Sequence, residues 1–455
     1  MQDKKCVIFT IEFCLIINLS ILTIMKTINF CFRVHQRYNL KQYRFFEIGN
    51  DHYYYDDYED EMSVTSAANQ IYLEANNVLL NMIKDFNGRF KVSFIISGLA
   101  LDQLEKFAPE VIDSFKALAK TDNVEFIATP YAHSLASLYD DDEFARQLKL
   151  QSDKIYDLFG KRPSTLANTS LIYSDEIAAK VAKLGYKNII IEETKHVMGW
   201  KSPHYIYHSA VNPKIKLLVR DNKLSDDINF RFSQGSWHEY PLTADKFMSW
   251  IANSPKEEEV YNICMGYEAL GKLNVKSSGI FDFFRNLPEY AIENNITFST
   301  PSKTVETFKS IDALSAVYPI SWTDEEKDVS AWCGNELQNE ALSKLYSLSE
   351  RVNLCNDLSI KMDWQCLQDS YHFFFMTTKH YSNGRIFAQQ VPYDTPYDAF
   401  INYMNVLSDF IERVKSQFPT NIEDEELNSL LKTINYQNAR IEELERKLKN
   451  KTKKV

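Results

Sequence analysis

The chain is poor in the residues that mark the simplest alternatives to an ordinary globular protein. Only 12 glycines and 13 prolines occur in 455 residues, which excludes collagen-like and Gly/Pro-rich disordered chains. The seven cysteines (Cys6, Cys14, Cys31, Cys264, Cys333, Cys355 and Cys366) are odd in number and form no C-x-x-C pair. Neither a disulfide framework nor a zinc ribbon is expected, and reduced thiols in a cytoplasmic protein are the plain reading. Basic residues are in deficit: 51 Lys+Arg against 62 Asp+Glu leave a formal net charge of −11. Without a basic surplus, no nucleic-acid partner is expected. Aromatic residues, by contrast, reach 13%, with 26 Tyr and 29 Phe. Most such rings bury area in a core. The same composition suits a cleft in which flat rings stack on sugar faces. Length alone suggests about two or three domains.

Residues 1–24 stand apart. Lys4 and Lys5 precede an apolar run from Cys6 to Met25, broken by Glu12, Asn18 and Ser20. No small-x-small cleavage site is evident, and Glu12 is costly at a bilayer centre. The favoured expectation is a mis-called start with Met25 as the initiator. A signal or membrane anchor is the alternative, and membrane contact is expected only in that case.

Short apolar runs rich in β-branched and aromatic residues predict buried parallel strands at Ile28–Val34, Phe90–Ser97, Val124–Ala128, Asn188–Ile191, Ile215–Val219, Tyr261–Met265 and Ile296–Phe298. Helical stretches separate them, among them Gln70–Asp85 and Asp175–Leu184, the latter between an N-capping Ser174 and Gly185. Alternation of this kind predicts a parallel sheet with crossover helices over residues 25–303. Polar residues cluster after the strands, and in a parallel barrel chemistry gathers at that end. From about Thr304 the pattern turns helical, with Ala341–Val352 and Ala399–Phe418 clearest and no strand signal, so 304–420 reads as a helical domain. In 421–455 an apolar stripe (Leu427, Leu430, Ile434, Ile441, Leu444, Leu448), with Gln437 as a polar layer, has heptad spacing. It predicts a short coiled coil able to form a homo-oligomer through 427–448, or else one helix folded back on the protein.

The strand ends carry a recognisable series of motifs. Val34-His35-Gln36 closes the first strand. Val124-Glu125-Phe126 and Tyr131-Ala132-His133-Ser134-Leu135 follow, then Asn168-Thr169-Ser170-Leu171-Ile172-Tyr173, Met265-Gly266-Tyr267-Glu268 and Thr300-Pro301-Ser302. In order and spacing these resemble glycoside hydrolase family 57, in its α-amylase and α-amylase-like branch. The resemblance implies an incomplete (β/α)7 barrel followed by a helical domain, an α-glucan or maltooligosaccharide as partner, and no cofactor.

It also implies a retaining mechanism, which needs a carboxylate nucleophile and a carboxylic acid about 5–5.5 Å apart. By the resemblance, the nucleophile's position falls at Ser170 and the acid's at Gly266. Neither keeps its carboxyl group. A serine hydroxyl is a poor glycosyl nucleophile without an adjacent base, and glycine offers no proton. General acid catalysis alone contributes about 10²–10⁴-fold, so turnover near background is expected. Asp175, Glu176 and Glu268 lie nearby, but the family has acidic residues there beside its catalytic pair. Arg37 in place of the first motif's proline, with Lys272 and Leu273 after the fourth, departs further from the family. Candidate sugar-binding residues are His35, Gln36, Glu125, His133, Trp200, Asp226, Trp237 and Glu268. Capping, core packing or neighbour orientation are the competing roles for most of them.

Three readings result. One is a catalytically impaired, α-amylase-like protein that still binds glucan. Another is an active hydrolase or transferase with relocated carboxylates. The third is a scaffold acting through the coiled coil. A metal-dependent deacetylase reading rests on His204-x-x-x-His208, but Tyr205-Ile206-Tyr207 between them looks like a strand. The two rings would then lie roughly 13 Å apart, and no metal is expected.

Overall fold

The computed structural model describes residues 25–323, 325–379 and 391–418, with five further residues between 430 and 437. The N-terminal run and most of the heptad stripe lie outside the described residues. Among the described residues, no helix is long and apolar enough to cross a membrane.

The organising strand is β1 (Thr27–Val34). It runs parallel to β8 (Val260–Gly266) over Thr27–Arg33 and to β2 (Val92–Ile96) over Cys31–Val34, while β9 (Thr297–Ser299) pairs with its start. β3 (Val124–Ile127) continues from β2. A second group places β5 (Asn188–Ile191) between β4 (Thr165–Leu166) and β7 (Lys216–Val219), all parallel. Single parallel bridges, Ala128 with Leu166 and Arg220 with Asn262, join the two groups. The ring β1-β2-β3-β4-β5-β7-β8 is thus an incomplete (β/α)7 barrel, stitched at two points rather than by full ladders. Beside it, β6 (Ile206–Ser209) pairs antiparallel with β7, and β10 (Ala313–Leu314) pairs with β6.

Alternation along the strands decides what meets what. Phe30, Phe32 and Val34 face outward and pack with the helices Leu73–Asp85, Pro109–Ala119 and Ile280–Glu293. Inward, Cys31, Ile95, Ile127, Ile190, Leu218 and Cys264 form one apolar layer. The next inward positions toward the strands' C-terminal ends are polar or empty: Arg33, Ser97, Glu192, Arg220 and Gly266. The layer below, toward the N-terminal ends, holds Asn29, Glu125 and Asn262, with Asn29 Nδ2 donating to Asn262 Oδ1 at 2.8 Å.

All the predicted strands are present within a residue or two of their expected ends, except that Phe90 and Lys91 precede β2. Two-residue β4 and β10 are too short to show alternation, and β10 corrects the expectation that strands end before Thr304. Ala341–Val352 is not one helix: Glu336–Tyr346 and Ser349–Leu354 are separated at Ser347 and Leu348. The stretch predicted as Gln70–Asp85 begins in a π-helical turn, Ala68–Tyr72, continuing the helix Asp57–Ala67.

The helical region docks through shared core rather than across a solvated gap. Trp364, Tyr403 and Phe410 pack in the same apolar cluster as Tyr54, Leu135 and Ile172. The long helix Pro396–Ser416 starts with Thr395 and Asp398 in a reciprocal cap and Pro396 in the first turn. From its buried face Asp409 accepts from Gly49 N (2.7 Å), His52 Nδ1 (2.9 Å) and Tyr54 Oη (2.6 Å). Asn402 accepts from Tyr43 N at 2.7 Å. These contacts fix the loop that walls one side of the cleft described next.

Candidate functional site

Three chain segments converge at the C-terminal end of β1. His35 Nδ1 lies 2.8 Å from Ser97 Oγ, and its Nε2 lies 2.9 Å from Asp369 Oδ2. His133, in the loop after β3, places Nδ1 2.8 Å from Ser370 Oγ. Its backbone is left-handed, with φ of 52°, and Ser370 N donates to its carbonyl at 3.2 Å. Burial alone would raise the Asp369 carboxyl; His35 beside it, with His372 and His133 near, reverses the sign and holds it at about 2. Burial pushes His133 well below the ordinary imidazole value, helped by His35 and Arg33.

His35, His133 and Asp369 offer ligand atoms within 4.8 Å of one another. The imidazoles, however, are stacked, with centroids 4.4 Å apart and planes 22° from parallel. Lone pairs of near-parallel rings run side by side instead of converging, so this arrangement does not fit a metal as it stands. Tyr371 extends the stack, 5.6 Å from His35.

Behind the stack is an inner cavity of about 120 Å³. Ser170 and Gly266 both line it, with Arg33, His133, Asn229, Glu268 and Trp322. Ser170 sits in a left-handed turn (φ 45°), and its carbonyl accepts from Trp322 N at 2.7 Å. The Trp322 ring meets two guanidinium groups, 5.3 Å from Arg33 and 4.7 Å from Arg220. Arg220 is fully buried and compensated: it reaches Glu192 at 3.2 Å and Asp226 at 2.5 Å. Gly266 leaves room for the Glu268 carboxylate, whose Oε2 is 2.5 Å from where a Cβ on residue 266 would stand.

Glu268 and Tyr371 also border a larger outer cleft of about 1090 Å³, lined by Gln36, Asn39, Tyr43, Phe45, Lys272 and Tyr393 among others. Gln36 Nε2 donates to Tyr72 Oη at 2.7 Å. Phe45, which lines the cleft, is 71% exposed, a ring available to a ligand face, and Phe46 next to it in sequence is 86% exposed.

Of the predicted residues, His35, Gln36, His133, Ser170, Gly266 and Glu268 therefore meet at these two spaces. Four others do not. Glu125 belongs to the layer below the apolar one, where it accepts from Thr165 Oγ1 (2.7 Å) and from Ser302 N (2.9 Å) and Oγ (2.8 Å); the apolar layer separates it from the cavities. Asp226 is engaged by Arg220. Trp237 packs edge-on against Trp250 at 6.3 Å. Trp200 is 92% exposed and lines neither space. Asp175 is occupied by Ser315 Oγ at 2.6 Å and Ala316 N at 3.1 Å. His204 contacts Asp221 and Glu258, each at 2.8 Å, away from both cavities. Sequence reasoning passed over Arg33, Arg220, Trp322, Asp369 and Tyr371. Period-two alternation places Arg33 on the face of Cys31 and would have found it; nothing local marks Asp369.

A parallel β/α barrel with a polar centre at its C-terminal face, completed by a helical region, defines the class. The profile of Glycosyl hydrolase family 57 matches residues 29–316, and the chain belongs to that family. A Methanocaldococcus jannaschii protein named "Putative alpha-amylase" is 35% identical over 405 residues, covering 85% of each chain. Among solved structures, the chain is similar to a 4-alpha-glucanotransferase of Thermococcus litoralis (TM-score 0.61, 14% identity, 84% of this chain) and spans 60% of that protein. It is similar also to a branching enzyme of Thermococcus kodakaraensis (0.59, 12%, covering 86% of this chain and 94% of the other). The alpha-amylase AmyC of Thermotoga maritima gives 0.57 at 13% identity, covering 90% and 96%. At these identities the structures speak for the fold.

Proposed function

We propose that the protein is an α-amylase-like member of family 57 that binds an α-glucan in the outer cleft and is impaired in cutting it. The observation that supports this reading is the acidic inventory of the inner cavity: among the described residues lining it, Glu268 is the one carboxylate. Retaining hydrolysis needs two. Asp369, the nearest other acid at the centre, is fully buried and tied to His35. The names of the relatives, an amylase and a glucanotransferase, support an α-glucan as the ligand class.

The position of Glu268 favours a second reading, in which it replaces the acid and some turnover survives. A long digest of maltoheptaose at high protein concentration, with products resolved by chromatography, separates the two. No products, with saturable maltoheptaose binding by calorimetry, is the expected result. Shorter or longer maltooligosaccharides would overturn the impaired reading, and absence of saccharide binding would leave the scaffold reading in its place.

A further inference from the structure

The outer cleft and the inner cavity are neighbours without being one groove. Among the described residues, Tyr371 and Glu268 alone border both. His35 and Gln36 border the outer cleft only, whereas His133, Ser170 and Gly266 border the inner cavity only. A side chain with one space on each side is a wall. This wall stands between the larger space and the two positions at which the family's carboxylates are missing.

Tyr371 is held in that wall from several directions. Its backbone N donates to Asp369 Oδ1 at 2.9 Å, and Asp369 Oδ2 is in turn 2.9 Å from His35 Nε2. Its ring centre lies 5.6 Å from that of His35, with planes 10° apart, and 5.9 Å from that of His133. The Arg37 guanidinium stands 5.6 Å from the same ring centre, a cation–ring contact. Arg33 donates to the hydroxyl. Barrel residues thus hold the ring by its face and its tip, and the helical region holds its backbone.

Size sets the consequence. The inner cavity of about 120 Å³ has the room of about four waters, too little for a glucosyl ring with its hydroxyls. The outer cleft, about 1090 Å³, is ample for several. A glucan seated there meets Tyr371 where its next unit would have to go.

We propose that Tyr371 is a specificity-determining stop: with Glu268 it ends the glucan-binding groove at the outer cleft and keeps the chain away from Ser170 and Gly266. This rests on the reading above that the outer cleft binds an α-glucan, and it adds a cause of impaired cutting separate from the missing carboxylates. The ring leaves only by giving up the Arg33 hydrogen bond and its stack on the histidines, so passage is infrequent rather than barred.

The test is calorimetric titration of the full chain with maltooligosaccharides from maltose to maltoheptaose. Wild-type affinity is expected to rise with length and level off where the outer cleft is full. Tyr371→Ala adds the volume of the ring to the inner cavity and joins the two spaces, so the rise should continue for at least one further glucosyl unit. Tyr371→Phe keeps the ring without its hydroxyl and should level off where the wild type does. Glu268→Ala opens the same wall from its other side and should also extend the rise; it carries the test if Tyr371→Ala fails to fold by circular dichroism. In the Ser170→Glu/Gly266→Asp background, Tyr371→Ala should raise the product yield from maltoheptaose by roughly tenfold or more, because reach and orientation then no longer wait on the ring. Length profiles unmoved by both opening variants, or a Phe variant that behaves like the Ala variant, would overturn the inference. Affinity lost at every length in Tyr371→Ala would also overturn it, making the ring a sugar platform instead. A wild type that binds no saccharide overturns the functional reading and this stop with it, whereas a wild type that binds with a profile indifferent to Tyr371 and Glu268 overturns the stop alone.

Discussion

The Glu268 carboxylate occupies the room that Gly266 leaves: its Oε2 stands 2.5 Å from where the missing Cβ would be. Residue 266 has ordinary extended backbone, φ −65° and ψ 141°, so nothing but this neighbour opposes a side chain there. The obstacle is the far end of a flexible side chain, which can rotate into the outer cleft.

Gly266→Asp sets a buried carboxylate beside that of Glu268, so it is expected to fold at a cost of about 1–3 kcal/mol. Alone it supplies no nucleophile and should yield no cleavage of maltoheptaose. Combined with Ser170→Glu it returns two carboxylates to one cavity, and detectable products are expected. Denaturant midpoints and a product chromatogram check both halves, and a double variant that folds without any product would count against the mapping of the two positions.

Trp322→Ala removes the ring that both Arg33 and Arg220 contact. The loss of packing and of two cation–ring contacts should cost about 3 kcal/mol. Urea unfolding measures it. A loss below about 1 kcal/mol would mean the ring is merely resting on the cavity wall.

Asp409 takes three hydrogen bonds at zero exposure; Asp409→Ala frees Gly49 N and His52 toward solvent and leaves the buried Tyr54 hydroxyl, which still accepts from Arg413, without its acceptor. A cost of about 1–2 kcal/mol is expected. The wall of the outer cleft should become the first site of limited proteolysis, between about residues 44 and 53. Cleavage elsewhere first would show that other contacts hold this loop.

His204 supplies a pH dependence. Burial lowers its pKa, but Asp221 and Glu258 outweigh burial, and the net shift is upward. A group raised in the folded state stabilises fully below its unfolded value, about 6.5. That stabilisation is lost as pH rises through the folded value. The urea midpoint of the wild type should thus decline above about pH 6.5, and His204→Gln should flatten that decline. Parallel curves for the two proteins would exclude the residue as the source.

The barrel was legible because its strands are dense runs of β-branched and aromatic residues with polar residues directly after them, as at Val34-His35-Gln36. β4 and β10 were not, since two residues carry no period. At the centre, motif order brought His35, His133, Ser170, Gly266 and Glu268 together. Glu125 misled because a motif position says which strand a residue is on but not which layer: on its strand Ile127 forms the packed floor and the cavity level comes only four residues on, at Thr129. Trp200 and Trp237 were singled out by residue type, which does not distinguish a surface ring or a packed one from a sugar platform. Asp369 and Tyr371 come from the helical region, where neither spacing nor composition sets them apart.

The bond between His35 and Asp369 joins residues 334 positions apart. During synthesis, the first strand leaves the ribosome long before its partner exists, and loops of that span close late. The barrel strands can pair among themselves earlier, but His35 and His133 acquire their fixed orientations only when the segment from Asp369 to Tyr371 arrives. The centre is for that reason an index of completed folding: a chain cut short after the barrel would lack Asp369 to Tyr371 and expose the core that Leu135 and Ile172 share with the helical region.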